Sequence, residues 1–161
     1  MKLMPQKKPQ SNISVSYKLI KIHEESFSIK NEFFADKDLA AIHPYYEVGL
    51  NLNVSGTGKE IPINVLVGFE IFNDKTKSEI VVEYKNRFEF KALNEGHFPI
   101  VKDKVSLPEH FVYKLIEIAL LTTRGILYAR LKSTPLEKGL LDAVNPDSII
   151  EQLKQTRPKK K

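Results

Sequence analysis

Few residues in this chain have the types and spacing that chemistry needs. The four histidines, His23, His43, His97 and His110, fall in no HxH, HxxH or HExxH pattern, and there is no cysteine to complete a metal set or act as a thiol nucleophile. The stretch SGTGK (55–59) invites comparison with a phosphate-binding loop. That loop needs a longer glycine-spaced run ending in Lys-Ser or Lys-Thr between a strand and a helix. Here Glu60 follows Lys59 and both flanks have strand character, so a hairpin turn is expected. No serine sits in a GxSxG elbow. The carboxylates are spread along polar strand faces, as solvated side chains are, and not gathered as a general acid and base. The expectation is a protein that is not an enzyme and uses no cofactor and no metal.

The aromatic residues are more informative. There are nine Phe and six Tyr, with no Trp. Most fall on apolar strand faces and are expected in the core. Phe33, Phe34 and Tyr45 do not. They either cover an edge of the core or line an apolar groove suited to extended, non-native polypeptide. A second oddity is LLTTRGIL (120–127), where Thr122, Thr123, Arg124 and Gly125 interrupt an apolar run. A glycine inside a helix costs about 1 kcal/mol relative to alanine. The stretch is therefore either a break or a face where another chain comes close.

The elements that must position these residues follow from periodicity. With 161 residues and 42% apolar content, the chain suffices for one domain with a real core. The net charge of +5 belongs to the ends: Lys2, Lys7 and Lys8 at one, Arg157, Lys159, Lys160 and Lys161 at the other. Setting aside those seven of the 25 cations leaves 18 against 20 acids, which gives no basic face for nucleic acid. The expected organisation is a flexible basic tail (1–12), one domain (13–154) and a second flexible basic tail (155–161). No apolar run has the length of a membrane span or a secretory signal, so the expected location is cytoplasmic.

Four segments alternate with period two. In residues 13–29 the phase slips, so a bulge is expected near Leu19–Ile20. Residues 45–54 place Tyr46, Val48, Leu50, Leu52 and Val54 on one face. Residues 61–72 and 79–92 do the same with Ile61 to Ile71 and with Ile80, Val82, Tyr84, Phe88 and Phe90. The short joins at 55–60 and 73–78 read as hairpins, so the last three strands form a meander. The longer segment 30–44 reads as a crossover. After a loop near 93–105 the period becomes helical, with Phe111, Leu115, Ile118 and Leu121 as a stripe. Ser106 and Glu109 have capping-box spacing. A shorter helix is expected from Asn145 as cap and Pro146 as first residue. The fold class is α+β: a four-stranded antiparallel sheet, a meander with one crossover, covered on one face by a long and a short helix.

YKLIKIHEESFSI, the YEVGLNLNV strand with its meander, LPEHFVYKLIEIALLTTRGIL, and the stretch from Ser133 through NPDSIIEQL together resemble the SecB protein-export chaperone family. The resemblance runs from about 13 to 153 and is one of order and pattern. It implies an ATP-independent holdase for non-native polypeptide, assembled as a dimer or a dimer of dimers. It implies a peptide groove carrying Phe33, Phe34, Tyr45, Ile149, Ile150 and Leu153. It also implies a face docking the SecA motor with Glu24 and Glu83, and a subunit contact at Thr122, Thr123, Arg124 and Gly125. Ser28, Lys85 and Arg87 depart from an acidic docking face, and the crossover lacks the family's tryptophan. The alternative is a SecB-like module that binds one specific partner, such as an antitoxin-type client.

Overall fold

Three successive hairpin-connected strands and one returning strand build the sheet in the computed structural model, which describes residues 15–30 and 44–156 apart from 75, 78, 97 and 135. The strands are β1 (Tyr17–Ile29), β2 (Tyr45–Val54), β3 (Glu60–Phe72) and β4 (Ile80–Leu93). They lie in the order β1-β4-β3-β2, all pairs antiparallel. The strand bounds match the alternation in the sequence to within a few residues. The bulge expected near Leu19–Ile20 is present, and a second lies between Glu24 and Ser26. The β2–β3 turn carries Gly56 at φ 76°, a left-handed conformation that costs a glycine little.

The described helices cover one face of the sheet, as the one-sided alternation requires. On the central strand β3, Ile61, Ile63, Val65, Val67, Phe69 and Ile71 are all 0% exposed. Burying a side chain of that size contributes about 1.5–3 kcal/mol. A helix α1 (Glu109–Leu131) lies over them. Near its start Phe111 packs 5.6 Å from the Tyr17 ring, and near its end the Arg130 guanidinium lies 4.4 Å over the Phe27 ring. Its buried stripe is Phe111, Leu115, Ile116, Ala119, Leu120, Thr123, Leu127 and Leu131. This corrects the expected stripe: Ile118 is half-buried and Leu121 is 49% exposed. α1 also runs unbroken through LLTTRGIL, so Gly125 marks no break.

The helix starts differently from the capping-box expectation. Pro108 is the N-cap and no side chain caps the helix. A proline disfavours helical backbone in the residue before it, so Leu107 cannot be helical and the helix begins only at Glu109. The Pro108 carbonyl accepts from the Phe111 and Val112 N–H groups at 3.0 and 3.1 Å.

Three further elements complete the chain. The loop near 93–105 contains a small hairpin, β5 (Ile100–Val101) and β6 (Lys104–Val105), turned by Lys102 and Asp103 with positive φ. A helix α2 (Glu137–Ala143), for which the sequence raised no expectation, lies between α1 and the last helix, seated by buried Leu136, Leu140 and Val144. Then α3 (Pro146–Thr156) begins as expected: the Asn145 side-chain oxygen accepts from the N–H of Asp147 at 3.0 Å. α3 extends two residues past the expected domain end at 154. No helix among the described residues is long and apolar enough to cross a membrane.

Candidate functional site

β2 is an edge strand, and this decides where the molecule is open. Its inward side chains Tyr46, Val48, Leu50, Leu52 and Val54 share the face of the buried β3 set, yet they are only half-buried. α1 covers the middle of the sheet, and α3 packs against α1 beside β2. Between them lies a groove of about 450 Å³ lined by Leu50, Leu52 and Val54 from β2, Val65 from β3, Val105 and Leu107 from the entry loop, Val112, Tyr113 and Ile116 from α1, and Leu153 from α3. Among the described residues its polar lining is Asn51, Tyr113 and Thr156, and none of its lining residues is charged. At its margin the Lys154 ammonium lies 5.4 Å over the Tyr113 ring, and the Tyr113 hydroxyl donates to Glu109 at 2.8 Å. The described lining is mostly aliphatic, which suits the binding of apolar groups.

Of the six expected groove residues, Leu153 lines this groove. Ile149 and Ile150 share α3 with it and, like Leu153, pack against the core, but they do not line the groove. Tyr45 is a correction: it sits one residue out of phase with Tyr46, on the opposite sheet face, under the Lys77 ammonium at 5.4 Å. Phe33 and Phe34 lie outside the described residues. The β2 lining residues were read as ordinary core. Their place at the end of a meander, with one neighbour strand, is the signal that they stay partly open.

The two docking acids do not share a face. Glu24 pairs with Asn86 of β4, which points inward, and its carboxylate accepts from Arg130 of α1 at 2.6 Å. Glu83 lies on the open face, opposite Ser28, and accepts from Lys85 at 2.8 Å. The second β1 bulge, at Glu25, separates the phase of Glu24 from that of Ser28. The open face instead sets Glu83 in a row with Glu70 and Glu47 across three strands. Like charges directly opposite one another are unfavourable. Lys85 and Lys77 relieve the row through ion pairs to Glu83 and Glu47. Both lysine pKa values are raised, first by the hydrogen bond to the paired carboxylate and then by nearby negative charge.

The four expected interface residues also divide. Thr123 is fully buried against the sheet and cannot form a subunit contact in this fold, because it lies on the inner stripe of α1. Thr122 and Arg124 are half-buried and Gly125 is exposed. A Cβ built on Gly125 would meet nothing within 4 Å, so no contact inside the protomer asks for a glycine there. Exposed Leu121 is one turn away on the same helix, and Leu19, Ile20 and Ile22 of edge strand β1 are also exposed. A comparison with protein-family models and with curated proteins finds no match, so the groove and its fold carry the functional reading by themselves.

Proposed function

We propose that this protein is an ATP-independent holdase of the SecB-like kind, binding apolar segments of non-native polypeptide. The observation that carries this reading is the groove between β2, α1 and α3, whose described lining is uncharged and includes Leu50, Leu52, Val54 and Leu153. Such a lining makes little sequence demand, which suits a binder of many unfolded chains. Clients are non-native polypeptides. Leu121 and Gly125 on α1, with Leu19, Ile20 and Ile22 on β1, supply the apolar surface for a homo-oligomer, a dimer or a dimer of dimers. Docking to SecA would have to displace the Arg130 pair of Glu24 and use an acidic row that Lys85 partly neutralises. Light scattering tests the main claim: the purified protein, without nucleotide, is expected to slow aggregation of a chemically unfolded client. A client that aggregates at its unassisted rate contradicts it.

A further inference from the structure

The two edges of the sheet are built differently. β1 carries register shifts at Leu19/Lys21 and at Glu24/Ser26, and its sequence YKLIKIHEESFSI holds several charges. Bulges and charges are the devices that keep an edge from pairing with another strand. Among the described residues, β2 has no bulge and little charge. Its register with β3 is unbroken from Tyr45 to Val54, it contains no proline, and Glu47 is its one charge.

The direction of its free backbone groups can be worked out. The Ser55 N–H donates to the Pro62 carbonyl at 3.0 Å. Bonded pairs recur at every second residue of an antiparallel ladder, so Asn53, Asn51 and Gly49 turn their N–H and C=O groups toward β3. Val54, Leu52 and Leu50 turn theirs to the other side, away from the sheet. These three residues also place their side chains in the groove. Hydrogen-bonding capacity and apolar surface therefore come from the same positions.

We infer that a client segment binds by adding to β2 as a further antiparallel strand, with its alternate apolar side chains entering the groove beside Leu153. This deepens the holdase reading and rests on it for the nature of the ligand. Residues directly opposite in an antiparallel pair share a face, so client residues bonded to Leu50 and Leu52 point into the groove. From Leu50 to Val54 the strand spans about 14 Å, room for two or three such side chains. An uncharged lining penalises a charged side chain entering unpaired, so the preferred segments alternate apolar and polar residues.

The test uses the full-length protein and a peptide of about nine residues alternating Val and Thr, a length typical of a long strand. One version is N-methylated at the Val amides, another at the Thr amides. Strand addition predicts that Val methylation weakens binding by roughly tenfold or more, since several backbone bonds are lost, while Thr methylation leaves the affinity within about threefold. Equal affinities for the two methylated peptides overturn the inference while the functional reading stands. An unmethylated peptide that does not bind overturns both. Amide hydrogen exchange gives an independent readout: the Leu50 and Leu52 amides should exchange readily in the free protein and slow on peptide binding. If they are already as protected as Asn51 and Asn53 without peptide, the edge is covered by the protein itself and the inference falls.

Discussion

Gly139 shows how one atom sets the packing of an element. A Cβ at this position would overlap the Tyr46 hydroxyl oxygen and lie 2.8 Å from the ring carbon that bears it. Glycine to alanine in a helix usually stabilises, but here overpacking reverses the sign. Gly139→Ala is expected to lower stability by about 1–3 kcal/mol, read from the urea midpoint; an unchanged or raised midpoint would contradict the close contact. Burial also pushes the phenols of Tyr46 and Tyr84 above the ordinary tyrosine value, with the Asn86 side chain pulling Tyr84 partly back. The folded protein then holds these protons where the unfolded chain has begun to release them. Their contribution is fully present below the ordinary value of 10.0 and is lost as pH rises above it. Tyr84→Phe should flatten the fall in urea midpoint between pH 9 and pH 11, roughly one unit either side of that value, and an equal fall in both proteins would remove Tyr84 as a cause. Several single residues were legible from the sequence. Asn145 caps α3 because its side chain and spacing are right. Tyr45 was misplaced because its nearness to the crossover outweighed the phase of YYEVGLNLNV, which already sets it opposite Tyr46. Glu24 was misplaced for a related reason: continuing the phase of Ile22 puts it on the inner side, toward Arg130.

At the scale of elements, periodicity read the strands well because each has one buried face, and it read helices less well where tertiary contacts choose among apolar residues. α1 turns Leu120 inward and Leu121 outward although both are leucine. α2 escaped notice because it is one and a half to two turns long, and its only signal is the i, i+4 recurrence of Leu136, Leu140 and Val144. The capping-box pattern misled because a proline inside it overrides the side-chain signal. The outward face of α1 carries the prediction about assembly. Gly125 has open space around it and an exposed leucine near it, so no contact within the protomer asks for a glycine, and the proposed assembly would set a neighbour from a second copy against it. Gly125→Leu should shift the protein to a smaller species in sedimentation. An unchanged oligomer would remove α1 from the interface.

For the whole molecule, the order of the strands accounts for both the stable and the open parts. β3 and β4 lie inside the sheet and carry most of the fully buried side chains, while β2 lies at an edge with its apolar face half-covered. The fold class could be read from the sequence because strands precede helices and each strand is apolar on one side. The groove could be anticipated only in part. Leu153 was visible as the apolar edge of an amphipathic helix, but the partial exposure of Leu50, Leu52 and Val54 depends on which strand lacks a second neighbour, and that is a property of topology. The central claim is that this groove holds non-native polypeptide. Its most direct test is aggregation of an unfolded client followed by light scattering, without nucleotide, with the wild-type protein and with Leu153→Glu, which places an unpaired charge in the groove. The account predicts suppression by the wild type and its loss in the variant, with helix content and oligomer size unchanged. Suppression that survives Leu153→Glu undiminished, or no suppression by the wild type, would contradict it.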